Sequence, residues 1–152
     1  MKHRFMSVAA GCLAAATTAI GLAAAEPAQA AGSVHLSEIY YNSPGSDTGS
    51  NASLNGEWVQ ITNSTSKAVS LTGWTLRDAG GHVYTFGRSS LAAGKSVRIH
   101  TGKGTDTAAN RYQGRSWYVW NNDKDTATLR RSTGSTVDSC SYRNSRRSWV
   151  YC

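Results

Sequence analysis

Residues 68–86 read AVSLTGWTLRDAGGHVYTF, and two phases of apolar alternation meet inside them. Val69 and Leu71 keep a spacing of two, Gly73 interrupts it, and Trp74 and Leu76 resume on the other parity. Alternation of this kind, rich in β-branched and aromatic residues, marks half-buried strands. A glycine between two such runs frees the backbone to re-aim the next side chain. Trp74, placed just after it, is expected to turn its ring inward as a core anchor, in preference to stacking on a ligand. Gly80 and Gly81 then mark a turn before the strand-like HVYTF, residues 82–86.

The same grammar runs outward in both directions. VHLSEIYY, residues 34–41, slips phase between Leu36 and Ile39, which predicts a bulge. EWVQIT, residues 57–62, puts Val59 and Ile61 on one face, and KSVRIHT, residues 95–101, turns Val97 and Ile99 inward with Arg98 and His100 outward. SWYVW (116–120), TATLRR (126–131) and STVDSCSY (135–142) complete a set of about eight short strands without intervening helices. That spacing predicts an all-β sandwich or barrel. Residues 42–56 and 102–114 read as polar, glycine-rich loops, and WNNDKDTATL, residues 120–129, reads as a hairpin whose Asn and Asp residues suit a turn.

The first thirty residues follow a different rule. A basic start at Lys2 and Arg4, a long Ala-rich stretch and Ala28-Gln29-Ala30 predict a secretory signal peptide over 1–30, cleaved after Ala30. The stretch from Phe5 to Ala25 is long enough to span a membrane, but its Ala-dominated composition and the Pro27 that follows disfavour a retained anchor. The domain is then 31–152, about 120 residues, expected to be secreted, extracellular and without integral membrane association. Cleavage removes Lys2, Arg4, Glu26 and Cys12, so the formal charge falls from +7 to +6 and Cys140 and Cys152 remain. An even pair in an exported protein predicts one disulfide.

Several segments in register resemble one known family. SEIYYNSPGSD, NGEWVQITN, VSLTGWTLRDAGG, VYTF, SLAAGKSVRIHTGKGTD and WNNDKDTATLRRSTGSTVDS together are similar to a lamin tail domain, from Val34 to about Tyr142. The most specific pieces are Gly56-Glu57-Trp58, Gly73-Trp74-Thr75-Leu76 and Trp120-Asn121-Asn122 with Asp125 to Leu129. The resemblance implies an immunoglobulin-like β-sandwich and a non-catalytic module of the kind found in exported bacterial proteins. Such modules are often attached to hydrolases or surface proteins, whereas here the domain is expected to stand alone. Trp58, Trp74, Leu76, Val97, Ile99 and Leu129 are the expected core. A fold does not by itself set a function.

No constellation of residues makes a strong case for chemistry. Asn121, Asn122, Asp123 and Asp125 offer hard oxygens, but no glutamate follows at the spacing of a calcium loop, so a turn is the better reading and no metal or cofactor is expected. His35, His82 and His100 lack paired-histidine spacing, and His35 and His100 fall on outward phases where solvation is expected. No G-x-S-x-G elbow is present. Glu57 beside Trp58, with Glu38 as its only candidate partner, could make half of a glycosidase pair; a hydrogen bond holding a strand end is the simpler reading. A small secreted hydrolase or nuclease is the enzymatic alternative, and it needs Glu57 or His82 to matter for turnover.

The basic residues gather late, at Arg130, Arg131, Arg143, Arg146 and Arg147. Cys140 and Cys152 are expected to close a hairpin or strap whose turn lies near RNSR and which pairs DSCSY with SWVYC, Trp149 packing down. The sharper reading makes Arg143, Arg146 and Arg147, interleaved with Tyr142, Trp149 and Tyr151, an anion-binding face. Guanidinium forks suit phosphates and carboxylates, and the rings suit stacking. Candidate partners are an anionic cell-wall polymer, an acidic polysaccharide or extracellular DNA, or else a protein; extracellular nucleic-acid binding is the leading alternative.

Overall fold

The bulge expected early in the chain is present. In a computed structural model that describes residues 32–152, the pairing register shifts between Leu36 and Glu38. It lies in β1 (Val34–Tyr40), which is followed by a single helical turn α1 (Asn51–Asn55), β2 (Trp58–Asn63), β3 (Val69–Ser70), β4 (Thr75–Arg77), β5 (Val83–Thr85), β6 (Ser90–Leu91), β7 (Ser96–His100), β8 (Asn110–Tyr112), β9 (Lys124–Arg130), β10 (Thr136–Arg143) and β11 (Trp149–Tyr151). The five-stranded sheet has the order β11-β1-β2-β7-β8 and the four-stranded sheet the order β10-β9-β4-β5, with β3 and β6 paired separately. Together they form an immunoglobulin-like β-sandwich.

Between the sheets, alternate residues interlock: Leu36, Ile39, Val59, Ile61, Val97 and Ile99 from one, Leu76, Ala127 and Leu129 from the other. Trp74 joins this core at 8% exposure, and Gly73 before it has φ +75, in the region that favours glycine. Trp58 does not join it. It sits opposite Tyr40 and His100 on the outer face of the five-stranded sheet and is only partly buried, because Val59 and Ile61 take the inward positions of β2.

Four local readings are corrected. SWYVW makes no strand; the backbone N–H groups of Val119 and Trp120 are taken by a side chain and not by a neighbouring strand. Residues 42–56 contain α1, capped by Ser50, whose hydroxyl accepts from the Ser53 N–H. Residues 102–114 contain β8, which runs parallel to β7 and is too short for alternation to reveal.

The tail is the fourth correction. β10 and β11 do not pair with each other: β10 pairs with β9, while β11 crosses to the other sheet and pairs with β1, Trp149 opposite Tyr40 and Tyr151 opposite Glu38. The Tyr41 and Asn42 N–H groups donate to the Ser148 carbonyl, and Val150 packs against the core. The outer edge of β1 would otherwise be unpaired, and an open edge is a liability that an added strand removes. Disulfide Cys140–Cys152 therefore spans the two sheets as a strap. Residues 1–31, which include the expected signal peptide, lie outside the described residues.

Candidate functional site

Along the flank where the strap crosses, β10 and β11 are the edge strands of their sheets and a cleft of about 540 Å³ opens beside them. Its lining includes Arg143, Asn144, Arg147, Trp149 and Tyr151, with Tyr41 and Tyr142 beneath. A second cleft, about 580 Å³, runs on from it past Lys124, Asn121 and Thr126 to Ala79 and Gly80. Both share Ser141, Tyr142 and Arg143, so Arg143 stands where they join.

The floor is rigid. The rings of Tyr41 and Tyr142 stack at 3.9 Å between centroids and 8° between planes. The Tyr142 hydroxyl donates to the Asn121 carbonyl at 2.6 Å, and the Tyr41 hydroxyl donates to the Asn144 carbonyl at 2.7 Å. Burial pushes both phenols above the ordinary tyrosine range, with the charge of Arg147 opposing it at Tyr41, so they serve as neutral donors and not as bases.

The outer face of the four-stranded sheet continues the same chemistry. Its outward positions are Arg143, Ser141 and Ser139 on β10, Lys124, Thr126, Thr128 and Arg130 on β9, and Thr75 and Arg77 on β4. Arg143 lies directly opposite Lys124, and Ser141 opposite Thr126, their hydroxyls 2.8 Å apart. Asp138, the acidic residue of β10, is turned away to accept the Leu36 N–H at 2.8 Å. Among the described residues the ion pairs are His82–Asp78 and Arg111–Asp106, so Arg77, Lys124, Arg130 and Arg143 stand without a carboxylate partner.

Of the tail residues singled out from sequence, Arg143, Arg147, Tyr142 and Trp149 line one cleft. Tyr142 is 6% exposed and reaches it as floor, not as a stacking surface. Arg146 does not line it; its backbone N–H bonds to Asn144 Oδ1 in the turn. Lys124, which the sequence pattern assigns to a turn, begins β9 across from Arg143.

Glu57, His82 and His100, among the enzymatic candidates, are tied into the structure by their side chains. Glu57 is fully buried; its Oε2 accepts from Thr101 Oγ1 and the Val119 N–H, and its Oε1 accepts from the Trp120 N–H. Burial pushes the Glu57 carboxyl up to about 7, against the opposing pull of those three donors. Glu38 is outward on β1, opposite Gln60 and Tyr151, on the other side of the sheet from Glu57. His82 Nδ1 lies 2.6 Å from Asp78 Oδ2 within the β4–β5 turn. His35 stays beside Ser33. His100 is outward but not freely solvated: Nδ1 meets the Asn55 carbonyl, Nε2 meets Asn110 Oδ1, and its ring stacks on Tyr112, because α1 and β8 close over it. Asp125, from the calcium-like stretch, is spent on the Ala79, Asn121 and Thr126 N–H groups.

A family model described as Lamin Tail Domain matches residues 27–144. Residues 145–152, with β11 and Cys152, lie beyond the match. No curated protein matches the chain.

Proposed function

This chain belongs to the lamin tail domain family, and we propose that it is an exported binding module that holds anionic polymers on its basic flank. The family supports an immunoglobulin-like, non-catalytic module in general; the ligand class rests on the flank itself. One observation carries the reading: Arg143 joins two clefts and a sheet face on which Lys124, Arg130 and Arg77 stand among hydroxyls, none of them in an ion pair among the described residues, while Asp125 in the second cleft is engaged by backbone N–H groups. Cations left unpaired raise the local concentration of a polyanion, and hydroxyls satisfy its oxygens without adding repulsion. Phenols held neutral and hydrogen-bonded make a floor that does not have to reorganise when the ligand arrives.

The test is retention on an immobilised polyanion. Changing Lys124, Arg143 and Arg147 together to glutamine is expected to weaken binding about tenfold or more, and the wild type should lose affinity steeply as salt rises. Unchanged elution of the triple variant rejects the basic flank. Preference for DNA over wall polymers and acidic polysaccharides in competition would instead select the nucleic-acid reading. Turnover of DNA, phosphoesters or glycans that is lost in Glu57→Gln or His82→Ala would point to the enzymatic alternative.

A further inference from the structure

On the outer face of the five-stranded sheet, strand register brings Trp149, Tyr40, Trp58, His100 and Tyr112 into one row, one ring from each strand. Cross-strand aromatic pairs stabilise sheets, and Tyr40 on Trp58 (5.6 Å) and His100 on Tyr112 (5.1 Å) do that here. The half nearest the strap carries more than sheet stability requires. Arg98 places its guanidinium 4.1 Å from the Trp58 ring centroid, and Arg147 lies 5.8 Å from that of Trp149. Arg98 is exposed and uses its Nε on Gln60 Oε1, and its two Nη atoms have no hydrogen-bond partner among the described residues. Tyr151, next to Trp149 with ring centroids 4.6 Å apart, is 70% exposed. Glu38 is the one carboxylate among these outward positions, against two guanidinium groups. The far half is walled off, since α1 and the backbone at Gly104 close over His100 and Tyr112.

We propose that Trp149, Tyr151 and Tyr40, with Arg98 held over Trp58, form a second contact for an acidic polysaccharide, the sugar rings lying on those three aromatics and their carboxylates on Arg98 and Arg147. This rests on the basic-flank reading and names its ligand class. Trp149, Tyr151 and Arg147 also line the strap cleft, so a chain leaving that cleft passes directly onto the row. Neighbouring strands are about 4.8 Å apart, which sets the Trp149 and Tyr40 positions about one sugar repeat of an extended chain apart. The C–H face of a pyranose carries partial positive charge and meets the negative face of an aromatic ring, while the guanidinium fork matches a carboxylate. A ringless polyanion can use the second interaction but not the first.

Polygalacturonate and poly-L-glutamate, matched in carboxylate number, separate the two. At physiological ionic strength polygalacturonate is expected to bind about tenfold more tightly and to quench tryptophan fluorescence. Tyr151→Ser with Arg98→Gln, both exposed changes, should bring the two polymers to near parity, because polygalacturonate loses ring and charge contacts where poly-L-glutamate loses only charge. Trp149→Leu should do the same and reduce the quench. Equal binding of both polymers by the wild type, lost only when Arg143 and Arg147 are changed, overturns the aromatic contact and leaves the basic flank standing. Failure of both polymers to bind removes the basic-flank reading, and this inference with it.

Discussion

Replacing Glu57 with alanine is expected to lower the unfolding free energy by about 3–5 kcal/mol, a large share of the total for a domain of this size. The residue looks like an ordinary strand start, yet among the described residues its carboxylate is the only acceptor for two buried N–H groups, those of Val119 and Trp120. Truncation leaves both donors unpaired in the interior and opens a void where the side chain lay. Thr101 can rotate its hydroxyl; the two amides cannot. Glu57→Gln keeps the shape but turns an N–H₂ group toward at least one of the three donors, so a smaller loss of about 1–3 kcal/mol is expected. Urea titrations of the three proteins would measure this. A shift of less than about 1 kcal/mol in the alanine variant would show that the 119–120 segment is held by other means.

The same carboxyl predicts a pH dependence. Its folded value is raised to about 7 from 4.5, so between those limits the folded state keeps a proton that the unfolded chain releases. Its contribution to stability is therefore fully present below about pH 4.5 and declines as pH rises to about 7, by an order of 3 kcal/mol. Stability of the wild type minus that of Glu57→Gln should fall across that window. A flat difference would mean that the three donors cancel the cost of burial.

Opening the Cys140–Cys152 bridge is the second large effect. The bridge closes a short loop of 12-residue separation, for which chain entropy gives about 3 kcal/mol. Its position adds a structural consequence, because it ties the edge strand of one sheet to the strand that covers the edge of the other. Cys152→Ser is the cleaner variant: Cys152 is exposed, whereas Cys140 is 7% exposed and packs in the core. Its denaturation midpoint should match that of reduced wild type. Amide exchange should quicken at Trp149–Tyr151 and leave β2 and β7 protected, since β11 is held by three paired positions and its neighbours by more. Unchanged stability on reduction would remove the strap from the account.

The family, the sandwich and the disulfide were legible in the chain because each depends on local pattern. Alternation at Val97 and Ile99, the phase slip at Leu36–Ile39 and an even cysteine pair all state their meaning within a few residues. Glu57 and Trp58 were harder. One slot of alternation decides which of two neighbours faces the core, and the carboxylate took the inward slot because Val119 and Trp120, some sixty residues later, present N–H groups to it. The aromatic ring was left outside. SWYVW shows the same limit: its composition is that of a strand, but no strand lies beside it to complete a ladder.

The basic flank divides along the same line. That arginines and aromatics crowd the last quarter is a property of the sequence, and so is their tie to a cysteine. That Arg143 faces Lys124, that Arg147 and Trp149 share its cleft while Arg146 does not, and that β11 crosses to β1 instead of folding back on β10 were decided only by the tertiary structure. Side-chain periodicity fixes what each strand can bury. Which strand it lies against depends on edges left open elsewhere in the chain, and local pattern carries no record of those.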